Sequence, residues 1–278
     1  MVLSNTNSHK IWKESVPKVN RIQTQYLDFK SLGLLRDYTL SKIRKVTKNK
    51  NINFDNLLDM ISPRMIEVSP TTRQTFLATE FYKKDNSFKN YYDTIVKEIY
   101  EVVGFDFYFQ KTPNFRIHFF NDGNKNFFSH WHSDILLGHP PNTMNFLFPI
   151  TEDNFGFGLL NETISRFIWK MSDYRFENMQ NYKHNILTTN KLVEKICNLF
   201  SNKIKKLDKV LMFSPLNFHS TLHPKKESFR ISMDMRILPT KYYKKDILYN
   251  NDVNPTLRKK VIFRPGDFYS KHSVEKML

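Results

Sequence analysis

Two hydrophobic periods divide the chain. Across residues 22–104 apolar side chains recur at three- and four-residue steps, the repeat of one helix face. The clearest run is Phe88, Tyr91, Tyr92, Ile95, Ile99 and Val103, closed by Gly104, and it predicts a helix over 88–103. Phe29, Leu32, Leu35 and Ile43 form a second apolar side and predict a helix over 26–43. From Phe105 onward the repeat shortens to two. Strands are expected at 105–110, 115–120, 127–134, 144–149, 210–214 and 229–238, separated by the turn-like NDGNKN, GHPPNT, TEDNFGFG and HPKKES. Between them, Leu192, Ile196, Leu199, Phe200 and Ile204 return to helical spacing within 188–207 and predict one inserted helix, a lid or a plain surface helix. The last segment, 240–278, has no sustained period.

The expected fold class is mainly β with α additions. Antiparallel strands of this kind build a two-sheet jelly roll whose mouth holds a ligand, here braced by N-terminal helices and the inserted helix. The expected organisation is one domain: a helical support in 1–104, a β core in 105–239 with the insertion near 163–208, and a C-terminal extension in 240–278.

The chemistry concentrates at His132, Asp134 and His219. A histidine and a carboxylate at i and i+2 leave the same face of an extended strand, so a distant second histidine completes a three-point set on one metal. Two imidazoles and one carboxylate suit non-heme Fe(II), with positions left open for a chelating acid and dioxygen. His130 shares the parity of His132 and Asp134. It is a rival ligand, a hydrogen-bond partner of a ligand or a substrate contact.

Eleven residues beyond His219, the run Arg230-Ile231-Ser232-Met233-Asp234-Met235-Arg236 puts polar residues on even positions and apolar ones on odd positions. An arginine taken out of water needs an anion, and its fork matches a carboxylate. Arg230 with Ser232 one pleat away forms a carboxylate clamp. The alternative is that Arg230 and Arg236 pair with Asp234 and surface acids.

Taken together, these residues resemble the Fe(II)/2-oxoglutarate-dependent oxygenases. Four stretches, TPNFRIHFF, WHSDILLGHPPNTMNFLFPITEDNFGFGLLNE, KVLMFSPLNFH and FRISMDMRILP, stand in the order found in the hydroxylase group typified by a streptomycin-biosynthesis protein. The likeness spans about residues 110–239 apart from 163–208. It departs at His223, four after His219, where an asparagine is expected nearby, and at Leu160-Asn161-Glu162, which lacks an aromatic before the glutamate.

The resemblance implies a double-stranded β-helix, or cupin-like jelly roll, with Fe(II), 2-oxoglutarate and O2. His132, Asp134 and His219 would be the metal ligands and the catalytic set. Arg230 and Ser232 would hold the distal carboxylate of 2-oxoglutarate, Asn145 its chelating carboxylate, and Arg116 a second anion or pair with Asp234 or Glu162. His130, His139 and Glu162 are the candidate substrate contacts. The implied reaction decarboxylates 2-oxoglutarate to succinate and carbon dioxide and hydroxylates an unactivated carbon. Desaturation, ring closure and epimerisation use the same residues, and the carboxylate at Asp134 disfavours halogenation.

Composition bounds the setting. A 278-residue chain that is 40% hydrophobic and 15% aromatic can fill a sizeable core. The single cysteine, Cys197, excludes an internal disulfide, and without an apolar run of membrane length or a leader pattern the expectation is a cytoplasmic protein with no membrane partner. A net charge of +16 suggests a polyanion. Yet the lysines are spread along the chain and accompany abundant asparagine, isoleucine, phenylalanine and tyrosine, so a coding bias accounts for them more cheaply. The expected partner is a small-molecule substrate, with an anionic group mildly favoured. Two alternatives remain: an AlkB-type nucleic-acid demethylase, whose signature also has two arginines six apart, and a non-catalytic metal-binding jelly roll or sensor.

Overall fold

The computed structural model describes residues 22–68, 74–83, 86–120, 131–134, 139–140, 142–151, 157–173, 191–204, 208–221, 228–245, 249–254, 259–263 and 265–278. Its first regular element is a strand, β1 (Gln25–Leu27), followed by helix α1 (Ser31–Thr47). This corrects the helix expected over 26–43. Tyr26 pairs with Leu211 across a sheet, and α1 starts where the backbone N–H groups of Lys30 and Ser31 find the Glu98 carboxylate, at 2.6 and 3.0 Å. An acceptor from another helix thus caps donors that the chain's own neighbours leave open. Short helices α2 (Leu57–Met60), α3 (Pro63–Ile66) and α4 (Phe76–Glu80) lead to α5 (Asn86–Val103), which contains the predicted 88–103 helix. Gly104 ends it at φ +68°, a left-handed conformation suited to glycine.

Among the described residues, six strands form an antiparallel sheet in the order β1, β7 (Val210–Phe213), β4 (Met144–Pro149), β9 (Ser228–Pro239), β2 (Phe107–Phe109), with β3 (Asn114–Phe120) also paired to β9. A second antiparallel sheet is ordered β6 (Asn202–Ile204), β5 (Phe157–Leu159), β8 (His219–Thr221). The inserted helix is shorter than expected: α6 (Glu162–Asp173) precedes the undescribed 174–190, and α7 spans Lys191–Phe200. Ile204, assigned to that helix by its spacing, instead lies in β6 opposite Phe157. Phe157 and Gly158, expected in a turn, belong to β5. The tail holds a hairpin, β10 (Tyr249–Asn254) with β11 (Lys259–Phe263), and a turn of helix, α8 (Pro265–Phe268). Beyond it, Ser270 and Val274 donate backbone hydrogen bonds to the Phe109 and Phe107 carbonyls, which fastens the C-terminus alongside β2.

Strand parity decides what each face meets. In β9 the odd residues Ile231, Met233, Met235 and Ile237 are fully buried, and they join Phe115, Ile117, Phe119, Phe146 and Phe148 against Leu35, Ile43, Ile95 and Ile99 of α1 and α5. The opposite face carries the even residues of β9. Register puts His118 across from Arg230, Arg116 across from Ser232, and Asn145 across from Arg236, so all six share it. The second sheet packs over this face through Leu147, Leu211 and Phe213 against Phe157 and Leu159. Its own outer side is covered by α6 and α7, through Ile168, Val193 and Cys197 against Trp131, Leu216 and Phe218. Among the described residues, no helix is long and apolar enough to cross a membrane.

Candidate metal centre

His132 and His219 are tied to each other through their backbones, with N–H to O distances of 3.0 and 2.8 Å in the two directions. Residues that exchange both hydrogen bonds stand directly opposite, so their side chains leave the same face. The two rings are 4.3 Å apart. Their sequence neighbours Trp131 and Phe218 point the other way, into the cluster under α6 and α7. Asp134 follows where the chain leaves extended geometry, and one ligand atom from each of His132, Asp134 and His219 lies within 4.8 Å of the others.

The loop before His219 is built to hold it. Asn217 accepts from the Ser214 N–H through its side chain at 3.0 Å and donates to the Leu160 carbonyl at 2.7 Å. Ser165 of α6 accepts from the Phe218 N–H at 3.1 Å. The ring Nδ1 of His219 lies 2.9 Å from the Asn217 carbonyl, which can only accept, so Nδ1 carries the proton and Nε2 keeps its lone pair. Burial moves this imidazole below its ordinary pKa, only partly opposed by Asp134, and the neutral form is the one that binds metals.

Asp134 is buried, and its two oxygens differ. Oδ2 accepts from Arg236 Nε at 3.0 Å, Arg236 Nη2 at 2.8 Å and Asn145 Nδ2 at 2.7 Å. Oδ1 accepts no hydrogen bond among the described residues and faces His219 Nε2 at 3.7 Å. Burial would raise this carboxyl, but the Arg236 guanidinium, followed by His219, outweighs it and holds Asp134 well below the usual carboxylate range. The same pairing lifts Arg236 above its ordinary value against the effect of burial.

On the same face, Arg230 donates from Nη1 to Thr221 Oγ1 at 3.3 Å and lies over the Phe157 ring at 5.7 Å. Among the described residues, neither the buried Ser232 Oγ nor Asn145 Oδ1 has a hydrogen-bond partner. Phe213 and Phe157 wall the His219 ring, with centroids 5.1 and 5.8 Å away. The donor set fits a divalent first-row metal with open positions, and the partnerless hydroxyl beside Arg230 fits a carboxylate ligand.

Other sequence candidates fall as follows. Asn145 touches the Asp134 carboxylate. Arg116 pairs with Asp234 at 2.8 Å and its side chain is 45% exposed, the pairing weighed above as its alternative. Burial would raise Asp234, but Arg116 and then Arg236 bring it down to about 2. His139 is buried, with its backbone N–H donating to the Asp134 carbonyl at 3.3 Å and its ring against Phe268 of α8 at 5.1 Å. Glu162 opens α6 in an ion pair with Arg166 and accepts from the Ile22 N–H at 3.2 Å. His130 and His223 lie outside the described residues, as does 127–130 of the strand expected before Asp134. Sequence reading did not assign Arg236 to Asp134, nor Thr221, Phe157 and Phe213 to the site. The parity shared by Arg236 with Arg230 and Ser232 was the available signal.

No family model matches the chain, and no curated protein sequence matches it. Among solved structures, the chain is similar to the non-heme alpha ketoglutarate dependent epimerase SnoN from nogalamycin biosynthesis. The identity is 7%, the coverage 84% of each chain, and the TM-score 0.45. It is similar to EctD from S. alaskensis with bound Fe at 8% identity and TM-score 0.43, over 86% of this chain and 78% of that one. HygX from Streptomyces hygroscopicus, with nickel and 2-oxoglutarate bound, is similar at 10% identity and TM-score 0.39, over 96% of this chain and 100% of that one.

Proposed function

We propose that the chain is an Fe(II)- and 2-oxoglutarate-dependent dioxygenase that hydroxylates an unactivated carbon of a small polar metabolite or natural-product intermediate. Succinate and carbon dioxide are the co-products. The observation that carries this reading is the convergence of His132, Asp134 and His219 on one interior with Arg230 and the partnerless Ser232 hydroxyl. The two antiparallel sheets are read as the halves of a double-stranded β-helix, forming one catalytic domain with helical additions.

Iron(II) with 2-oxoglutarate and dioxygen supplies the oxidising chemistry when bound. This chain's residues do the rest. His219 offers Nε2 and Asp134 offers Oδ1, and His132 completes a set that leaves the remaining positions open. Arg230 and Ser232 hold the distal carboxylate of 2-oxoglutarate, with Thr221 orienting the guanidinium. Phe157 and Phe213 exclude water from the ring side of His219, which strengthens every electrostatic contact inside. His139 and Phe268 are read as lining the substrate side, where a polar and mildly anionic molecule is favoured.

Anaerobic titration of the full chain with Fe(II) and then 2-oxoglutarate tests this reading, followed by succinate assay in air with a panel of polar metabolites. One metal per chain, 2-oxoglutarate binding that requires the metal, and succinate formation lost in Asp134→Ala are the expected results. Absence of both metal and 2-oxoglutarate binding overturns the proposal. Binding of both without any succinate would instead favour a sensor, and steeply salt-dependent binding of single-stranded DNA or RNA would favour a nucleic-acid substrate.

A further inference from the structure

All three donors that reach Asp134 converge on one oxygen. Arg236 places both Nε and Nη2 on Oδ2, at 3.0 and 2.8 Å, and Asn145 adds a third contact there at 2.7 Å. An arginine fork ordinarily spans both oxygens of a carboxylate. Here the remaining guanidinium nitrogen explains the offset. Arg236 Nη1 is drawn to Asp234 Oδ1 at 3.2 Å and to Gln110 Oε1 at 3.4 Å. Asp234 is itself held by Asn114 at 2.7 Å on Oδ1 and by Arg116 at 2.8 Å on Oδ2. The result is a ladder of alternating charge, Asp134, Arg236, Asp234, Arg116, running from the ligand carboxylate to a half-exposed arginine.

We propose that Asp234 is a positioning residue for the metal centre: through Arg236 it keeps the guanidinium fork on Oδ2 and leaves Oδ1 of Asp134 as a single-oxygen ligand. This rests on the metal-centre reading above. Two effects act in the same direction. Without the Asp234 carboxylate, the fork is free to slide toward Oδ1 and compete with the metal. The surroundings of the centre also become more positive, which disfavours a divalent cation. Partners that orient a ligand in this way commonly change metal affinity about 10- to 100-fold when altered.

The test measures Mn(II) affinity of the full-length, metal-free protein by electron paramagnetic resonance of free and bound ion, with circular dichroism confirming the fold. Arg236→Lys keeps the charge and removes the fork, and its affinity is expected to fall about 10- to 100-fold. Asp234→Asn, nearly isosteric at a side chain 17% exposed, is expected to lose about tenfold. Because the fork effect of Asp234 acts through Arg236 while its charge effect does not, the double variant is expected to lose clearly less than the sum of the two single losses, a non-additivity that a merely structural role would not produce. The visible spectrum of bound Co(II) should shift in both variants as the hold on the Asp134 carboxylate changes. Wild-type affinity in Asp234→Asn, or strictly additive losses, overturns the inference and leaves the metal centre standing. A wild-type chain that binds no Mn(II) or Co(II) overturns the metal centre as well. Should Arg236→Lys fail to fold, affinity in Asp234→Asn decides alone.

Discussion

Leaving a buried hydroxyl without a hydrogen bond costs about 1–3 kcal/mol, and Ser232 Oγ is such a group among the described residues. Replacing Ser232 with Ala removes that unsatisfied atom, so the metal-free protein is expected to melt at the same temperature or higher. Binding of 2-oxoglutarate should weaken by about fivefold, the worth of one ordinary hydrogen bond. Calorimetry and a thermal scan on the same sample check both, and a destabilised variant with unchanged binding would count against the clamp. Arg230→Lys keeps the charge but loses the planar fork, and the dissociation constant for 2-oxoglutarate is expected to rise roughly ten- to hundredfold. Period-two parity placed Arg230 and Ser232 on one face, whereas Asp134 comes beside His132 where the chain leaves extended geometry and His219 reaches them through its bridge to His132. Arg236 obeys the same parity, yet its partner Asp134 lies 102 positions away. Only the folded β4–β9 register brings Asn145 opposite Arg236, with both touching one carboxylate.

Elements of four turns or more announced themselves in the sequence, and several of the shortest did not. α5 contains the run from Phe88 to Val103 because Tyr92, Ile95 and Ile99 must all face the same core. β1, β5 and β6 are three residues each, too short to display a period, and long-range pairing alone makes them strands. Ile204 shows the consequence: its spacing continued the helix, but pairing with Phe157 turned it into strand. The inserted region braces the metal centre from behind, since Ser165 of α6 takes the N–H of Phe218 next to His219. Ser165→Ala leaves that buried N–H without its acceptor, an expected loss of about 1–3 kcal/mol in denaturant unfolding. Metal affinity should fall with it, because the His219 backbone loses its anchor. Unchanged metal binding at reduced stability would make α6 a scaffold without influence on the site.

At the scale of the whole molecule, burial favours the neutral form of His118, His139 and His219 while neighbouring arginines favour the charged form of Asp134 and Asp234, and this fixes how the fold responds to acid. Burial pushes His139 down to about 3, with Arg236 adding to the effect, and moves His118 well below its ordinary 6.5 through burial and then Arg230. His219 shifts in the same direction. Below pH 6.5 the unfolded chain protonates these rings more readily than the folded chain does. The unfolded state then binds more protons, so stability is fully present above 6.5 and is lost as pH falls. His139 contributes a slope of about 1.4 kcal/mol per pH unit that continues down to about 3, and His118 and His219 add losses in the same direction. Asp234 adds a separate loss at lower pH: its contribution is present above its ordinary 3.8 and disappears as pH falls through about 2. Urea unfolding of the metal-free protein between pH 8 and 5 should therefore show stability nearly level at the alkaline end and declining below 6.5, with more than one proton taken up on unfolding. His139→Gln, which cannot titrate, is expected to reduce that uptake by about one proton. A pH-independent midpoint across this range would mean that the three rings are open to water, and would remove the dry interior on which the reading of the site depends.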